Sequence, residues 1–183
     1  MNGDMIQMFK IYIEAASQER EFKNIMHSWF GMIADAQGDN TKAVSFALSQ
    51  KDKIMKLIKS NNPTINKLIA RSQKSFGNKE RTLYRGLKLK EIPKIGEIFK
   101  FSVESWSYHL DTAKDYALYG KHIIFVKKFK KENVIACDQQ YDKYYYMNDE
   151  SEFIMMPCNG RVKNIMKDKD ENFSITFNII ELE

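Results

Sequence analysis

The sequence predicts an α+β protein, with helices first and a mostly antiparallel β-sandwich core after them. Apolar side chains recur at helical spacing up to about residue 75, whereas the apolar periods become short and strand-like beyond residues 75–78. The 183 residues suit one domain, and a content of 43% hydrophobic and 13% aromatic residues is enough for a sizeable core. We therefore expect a single domain, 1–183, with a helical part, 1–78, and a β-rich core, 79–183.

Four helical segments are predicted before residue 78. The third is expected to begin at Asn40-Thr41, and Asn62-Pro63 has the form of an N-cap followed by proline at the first helical position. The Met-rich and aromatic stripes of these segments are predicted to be core rather than a cofactor site. The stripes of the first two segments contain Met5, Met8, Phe9, Tyr12, Ala15, Ala16, Phe22, Ile25, Met26, Trp29 and Phe30.

The β-rich part is expected to contain short strands and one helix. The helix is predicted at 111–118, with Asp111 or Thr112 as its N-cap. Short runs of apolar, β-branched and aromatic residues predict the strands, which lie at 82–85, 97–103, 123–126, 134–136, 153–156, 161–166 and 173–182.

Composition narrows the classes of function. The formal net charge of +5 mildly favours an acidic partner such as a nucleotide or nucleic acid. Cys137 and Cys158 form no Cys-x-x-Cys motif, so neither a zinc site nor any other metal site is expected. No apolar run approaches the roughly 18 residues of a membrane span, and the acidic start of the chain is unlike a secretory signal. We expect a cytoplasmic protein with no membrane partner.

Arg85 and Gly86 form the first motif with a candidate chemical role. A guanidinium is a planar, permanently charged fork suited to phosphate oxygens, and glycine lets a ligand approach the backbone closely. The alternative is a surface arginine at a strand end before a turn.

Two further motifs each place a pair of polar side chains on one strand face. Ser105 and Ser107 share a face if the strand continues, and each hydroxyl can orient a carboxylate. The alternative is that the two serines only mark the junction between a strand and the helix after it. Glu150 and Glu152 also share a face, so the pair needs solvent or a cationic partner, which a substrate can supply. The alternative is a solvated pair at a strand start.

The order of these motifs carries a resemblance. Leu83-Tyr84-Arg85-Gly86, then Ser105-Trp106-Ser107 with a helix after it, then Glu150-Ser151-Glu152 resemble the Arg/Ser/Glu class of mono-ADP-ribosyltransferases, the cholera-toxin-like branch. The chain most resembles the small enzymes with which tailed phages modify host proteins, over roughly residues 80–183. The resemblance implies the ADP-ribosyltransferase fold, NAD as substrate, and transfer of ADP-ribose to a protein side chain with release of nicotinamide. It also implies a host transcription or translation protein as target, and the host cytoplasm as location.

The resemblance implies roles for individual residues. Arg85 holds an NAD phosphate, the Gly86 backbone meets the nicotinamide amide, and Ser105 braces Glu152, which engages the nicotinamide ribose. Glu150 handles the acceptor, and a glutamate there implies arginine as the modified side chain. The other members of the expected NAD-binding set are Ser107, Tyr119 as a candidate aromatic for stacking on nicotinamide, and Lys121 as a phosphate contact.

The chain departs from the family pattern in three places. Trp106 is bulkier than the usual Thr or Ala, and Met155-Met156-Pro157-Cys158-Asn159-Gly160 stands where the family often has Leu-Pro-Pro-Gly. The loop after the helix is short. The tyrosines that lead into the glutamate pair stand where the family recognises the acceptor, the alternative being a partly packed aromatic loop; they are Tyr141, Tyr144, Tyr145 and Tyr146.

A second class of function is a non-catalytic basic module that docks on a host protein or nucleic acid. RNA as the acceptor of ADP-ribose, or simple hydrolysis of NAD, is a further alternative within the same chemistry. The lysine run fits nucleic acid or, more simply, a solvated strand end; its members are Lys127, Lys128, Lys130 and Lys131. The intact set Arg85, Ser105 and Glu152 favours the enzyme.

Overall fold

The computed structural model describes residues 3–35, 40–118, 120–138, 152–171 and 174–183. Three helices come first: α1 (Gly3–Asp35), α2 (Asn40–Lys59) and α3 (Pro63–Phe76). The prediction of two helices before residue 36 was wrong, because no Gly or Pro interrupts residues 4–30 and a 2.6 Å Glu19–Lys23 ion pair spans the expected join. None of the described helices is long and apolar enough to cross a membrane.

The predicted cap of α3 is confirmed. The Asn62 side-chain oxygen accepts hydrogen bonds from the backbone N–H groups of Thr64 (2.9 Å) and Ile65 (3.4 Å). The Asn62 amide donates to the Ala15 carbonyl at 2.8 Å, so the same side chain ties the start of α3 to the middle of α1.

The prediction of a core stripe on α1 is confirmed for its second half only. Phe22, Met26 and Trp29 are at most 4% exposed, but Met5, Met8, Phe9 and Tyr12 are 58–71% exposed. The earlier turns were expected to be core, and that expectation was wrong, because a helical stripe is buried only where another element covers it.

Within the described residues, eight strands form one sheet in the order β2-β7-β8-β4-β1-β3-β6-β5, in which β4 and β8 are parallel and the other neighbours are antiparallel. The predicted class, helices followed by a mostly antiparallel sheet, is confirmed. The strands are β1 (Arg81–Leu87), β2 (Ile98–Phe101), β3 (Glu104–Ser107), β4 (Ile123–Phe129), β5 (Val134–Cys137), β6 (Glu152–Met155), β7 (Cys158–Asp170) and β8 (Ile175–Leu182).

Aromatic side chains close this sheet into two layers. β2 and β3 stand five places apart in the sheet order, yet the rings of Phe101 and Trp106 are 5.2 Å apart, edge to face. Phe125 and Phe129 of β4 join the same cluster, with ring centroids 5.5 Å from Phe101 and 5.0 Å from Trp106, respectively. Such pairs require both partners on the inner face, so the sheet must fold over itself around this core.

Helix α4 (Leu110–Tyr116) covers the opposite face of the sheet, where Ala113 and Ala117 pack with Phe177 of β8. The N-cap prediction of Asp111 or Thr112 was wrong. His109 is the N-cap and makes no side-chain cap bond; its backbone N–H instead donates to the Ser107 hydroxyl at 3.0 Å. The Ser107 hydroxyl, two residues before the N-cap, therefore fixes the backbone at the start of α4.

The chain divides into two compact units, and the boundary lies between Ser72 and Gln73, inside α3. The helical unit contains α1 and α2. The last turn of α3 belongs to the β-rich unit, where Phe76 packs edge to face against Phe153 at 5.0 Å. A single domain divided at residue 78 stays a prediction.

Lys114 fixes α4 to the long strand β7. Its ammonium group lies 2.6 Å from the Asp170 carboxylate and 3.1 Å from that of Asp168. The hydrogen bond to Asp170 raises the pKa of Lys114 despite the opposing effect of burial, and Asp168 adds to the rise.

We expect Lys114→Met to lower the free energy of unfolding by about 3 kcal/mol, because the Asp170 carboxylate, 9% exposed, would lose its lysine partner. Asp168→Asn is the matched control and should cost less than about 1 kcal/mol, since Asp168 is 42% exposed. Urea unfolding at neutral pH measures both. The folded-state pKa of Lys114 is raised. The contribution of its ion pairs to the free energy of unfolding is therefore complete below the unfolded pKa and is lost as the pH rises through the folded pKa. An equal loss in both variants would contradict this assignment.

Candidate active site

Three adjacent strands carry the three residues that define the predicted site. Arg85 lies on β1, Ser105 on β3 and Glu152 at the start of β6, and the sheet order places β3 between the other two. The register pairs Tyr84 with Ser107, and Ser107 with Glu152. The sheet thus brings together positions that are 20 and 47 residues apart in the sequence.

The serine directly opposite Glu152 is Ser107, whereas Ser105 is paired with Ile154. Side chains at directly opposite positions lie on the same face, so Ser107 and Glu152 are immediate neighbours there. Ser105 shares that face and stands diagonal to Glu152, at a Cα separation of about 7–8 Å. The register therefore offers Ser107 as well as Ser105 to a carboxylate at position 152.

Glu152 is buried, with 6% of its surface exposed. Its backbone N–H donates to the Asp138 carboxylate at 3.0 Å, which anchors the start of β6 to the residue that follows β5. Sequence reasoning missed Asp138, because its position beside Glu152 depends on the pairing of β5 with β6. Glu150 lies outside the described residues, as do the four tyrosines before it.

The Arg85 guanidinium joins β1 to β3. One terminal nitrogen, Nη1, donates to the Ser105 carbonyl, and the other, Nη2, lies 2.6 Å from the Glu104 carboxylate. The second oxygen of Glu104 accepts from the Ser102 hydroxyl at 2.9 Å. β1 and β3 share one register pair, Tyr84 with Ser107, so this side chain bridges the strands beyond the point where their pairing ends.

Strand alternation separates Arg85 from the serines. Arg85 is paired with the core residue Phe125, whereas Ser105 and Ser107 alternate with the core residue Trp106 and so face away from the core. The guanidinium therefore reaches the Ser105 backbone from the core side of the sheet. Sequence reasoning missed Glu104, although an acidic residue on an otherwise inward-facing strand position was a signal of a buried cation nearby.

Three buried polar atoms of β1 and β3 have no hydrogen-bond partner among the described residues. They are Nε of Arg85, the Ser105 hydroxyl and Nε1 of Trp106, which lies in the aromatic core. Leaving a buried donor or acceptor unpaired costs about 1–3 kcal/mol, so a ligand that pairs with it would recover that free energy. Arg85 Nε lies on the core side and the Ser105 hydroxyl on the other face, so one ligand would pair with both only by entering between β1 and β3 where the strands separate.

Trp106, the bulky residue between the two serines, is core. Its side chain is 1% exposed and lies between the rings of Phe101 and Phe129. This departure from the family pattern adds volume to the core, because alternation points position 106 away from the serine face.

Gly86 has a structural reason to be glycine. A Cβ at this position would lie 2.0 Å from the Ala113 carbonyl oxygen and 2.9 Å from the Ala117 nitrogen. The glycine is thus required for α4 to pack closely on β1, whether or not its backbone also contacts a ligand.

The short loop before β4 is described only in part. Tyr119 lies outside the described residues. Lys121 is exposed, and its backbone N–H donates to the Leu89 carbonyl at 3.3 Å, which places the loop beside the segment that follows β1. His122 is structural: its ring Nδ1 lies 3.0 Å from the Ala117 carbonyl, and its backbone φ is positive at 51°. No group of three or more metal-ligating side chains occurs within the described ranges.

No protein-family model matches this chain, and a search of curated proteins finds no match. Solved structures with a similar arrangement of elements include exoenzyme S from Pseudomonas aeruginosa in complex with human 14-3-3 protein beta and bound to carba-NAD; it is 14% identical, with a TM-score of 0.41 over 84% of this chain and 72% of that chain. The ADP-ribosyltransferase Vis in complex with agmatine is 16% identical, with a TM-score of 0.47 over 92% and 74% of the two chains. C3larvin, an ADP-ribosyltransferase from Paenibacillus larvae, is 11% identical, with a TM-score of 0.41 over 80% and 86%. At these identities and scores, the likeness by itself assigns no activity to this chain.

The two serines should respond differently to truncation. Ser105→Ala removes a buried hydroxyl with no partner, so the free energy of unfolding should stay within about 0.5 kcal/mol of the wild-type value or rise. Ser107→Ala removes the acceptor of the His109 N–H and should cost about 1 kcal/mol. Chemical unfolding followed by circular dichroism measures both. A Ser105→Ala loss as large as that of Ser107→Ala would show that the Ser105 hydroxyl is already paired.

Proposed function

We propose that this protein transfers ADP-ribose from NAD to an arginine side chain of a target protein and releases nicotinamide. The observation that carries the proposal is the pair of orphaned buried atoms, Arg85 Nε and Ser105 Oγ, at the junction of the strands that bear Arg85, Ser105 and Glu152. An ordered arginine, serine and glutamate on three neighbouring strands is the arrangement that the resemblance requires.

Arg85 would hold a phosphate of NAD. Glu104 and the Ser105 carbonyl fix the plane of the guanidinium, and the Nε–H remains to be paired. A guanidinium presents its N–H groups as a rigid fork, which suits the oxygens of a pyrophosphate. The net charge of +5 is consistent with an anionic substrate.

Glu152 would stabilise the developing cation on the nicotinamide ribose. The bond between the ribose anomeric carbon and the nicotinamide nitrogen breaks, nicotinamide leaves with the bonding electrons, and the sugar gains oxocarbenium character. A carboxylate held beside that charge stabilises the transition state more than the ground state. Its burial strengthens the effect, since little water screens the interaction.

Ser105 and Ser107 would hold the Glu152 carboxylate in place when NAD is bound; without NAD, the Ser105 hydroxyl has no partner among the described residues. Both hydroxyls lie on its face of the sheet, one directly opposite and one diagonal. Hydroxyl donors aimed at a carboxylate keep it ionised and fix its direction. Gly86, Tyr119 and Lys121 complete the proposed NAD-binding set on the strength of the resemblance.

Glu150 would position the acceptor guanidinium and take the proton that it loses when its nitrogen bonds to the ribose. The resemblance links glutamate at this position to arginine as acceptor. A transcription or translation component of a phage host, modified in the cytoplasm, is the proposed target.

The first test is transfer of radiolabel from NAD to proteins of a bacterial lysate. Glu152→Gln should lower both transfer and nicotinamide release on the order of 100- to 1,000-fold, because it removes the charge opposite the oxocarbenium ion. Glu132→Gln, an exposed carboxylate on a neighbouring turn, is the matched control and should act as wild type. Ser105→Ala should lower transfer without loss of stability. The proposal would be wrong if the wild-type protein neither labelled a target nor released nicotinamide.

The second test separates the two glutamates. Glu150→Ala should retain hydrolysis of NAD but lose transfer, because water can replace the acceptor whereas the bound guanidinium cannot be deprotonated. Nicotinamide release and label transfer are measured on the same samples, with agmatine as a small guanidinium acceptor and an RNA as the competing acceptor. Labelling of RNA in preference to protein or agmatine would refute the assignment of arginine.

A further inference from the structure

We propose that the first three turns of α1 are a docking surface for a second copy of this chain. The surface consists of seven apolar residues, here called the α1 tip, and it lies wholly in the helical unit. The inference is independent of the proposed enzymatic activity. The residues of the α1 tip are Met5, Ile6, Met8, Phe9, Ile11, Tyr12 and Ile13.

The α1 tip continues a seam that is buried further along the same helix. Positions 5, 8, 12, 15, 19, 22, 26 and 29 follow each other at alternating spacings of three and four, the pattern of a helix that packs along one line against another helix. In the second half, Phe22 and Met26 are 0% exposed and Trp29 is 4% exposed. In the first half, Met5, Met8 and Tyr12 on the same line are 58%, 70% and 71% exposed.

The seam loses its cover because α2 is shorter than α1. At 1.5 Å per residue, the 33 residues of α1 span about 50 Å and the 20 residues of α2 about 30 Å. Two contacts fix how they align: Lys53 of α2 lies 3.0 Å from Glu21 of α1, and Asn62, just after α2, reaches the Ala15 carbonyl. α2 ends, and the chain reverses direction, at the level of Ala15. About three helical turns of α1 therefore extend beyond the end of α2.

The α1 tip is larger than a monomer normally leaves exposed. Its seven side chains are 43–71% exposed, and only Gln7, Lys10 and Glu14 interrupt them, along a narrow stripe opposite the seam. The largest apolar patch of a typical monomer covers about 300–600 Å². Seven large residues exposed to this extent present roughly the 800 Å² per partner that a stable interface buries.

The charges of this segment favour a second copy over a membrane or an acidic partner. Between residues 3 and 15, one lysine, Lys10, stands against Asp4 and Glu14, for a net charge of −1. Helices that lie on membranes carry lysine and arginine on their polar face, and a surface for nucleic acid needs the same charges. An apolar patch of nearly zero charge is complementary to itself, which a twofold axis requires of a dimer interface.

The test is the mass of the full chain in solution, by sedimentation equilibrium from submicromolar to about 100 μM, because interfaces of standard size have dissociation constants of about 1 μM or below. Wild type should shift from monomer to dimer across this range. Met8→Glu with Tyr12→Glu adds two charges to the seam and should remain monomeric, with unchanged helical circular dichroism. Gln7→Glu with Ser17→Glu adds the same two charges to the polar stripe, so it should dimerise as wild type does.

Four results would overturn the inference. Wild type that stays monomeric throughout the range would do so directly, as would a dimer that the seam variant does not weaken. Protection of the Met5 and Met8 side chains from oxidative labelling in a monomer would show that this chain covers its own tip. Cosedimentation of wild type, but not of the seam variant, with vesicles of phosphatidylcholine and phosphatidylglycerol would assign the tip to a membrane surface instead.

Discussion

The candidate site depends on the link that the Arg85 guanidinium makes between β1 and β3. β1 and β3 pair through Tyr84 and Ser107, and beyond that pair the guanidinium links them by bonding to the Ser105 carbonyl and the Glu104 carboxylate. Because a side chain replaces the backbone ladder there, the strands can separate without leaving the Ser105 carbonyl unpaired. The separation leaves Arg85 Nε and the Ser105 hydroxyl buried without a partner among the described residues.

Strand β3 shows how one segment serves core and site together. Trp106 points into the aromatic core with Phe101 and Phe129, while Ser105 and Ser107 point to the other face, toward the start of β6. The period of two in a strand makes the two roles independent, so a large residue at 106 strengthens the core without occupying the site. A buried ring that contacts both layers also resists any shift in register that would move the serines away from Glu152.

The helical unit and the β-rich unit show different relations between pattern and burial. In the β-rich unit, Phe101, Trp106 and Phe125 are buried, because a sheet that folds over itself covers its own inner face. In the helical unit, the apolar stripe of α1 is longer than its partner helix, so the same pattern is core in one half and surface in the other. A periodic pattern shows which face of a helix is apolar, but the length of the neighbouring helix decides how much of that face is buried.

The set of Arg85, Ser105 and Glu152 came from a resemblance to a known family. Local chemistry in the sequence was sufficient for the fold class, the Asn62 cap and most strand positions. Each of these depends on residues close together in the chain, through spacing, capping or alternation. Only the tertiary structure decided that Glu104 holds Arg85, that Ser107 stands opposite Glu152 and that Gly86 admits α4. Those features depend on the register between strands and on the approach of a helix, which are set by contacts between distant segments and leave no local pattern in the sequence.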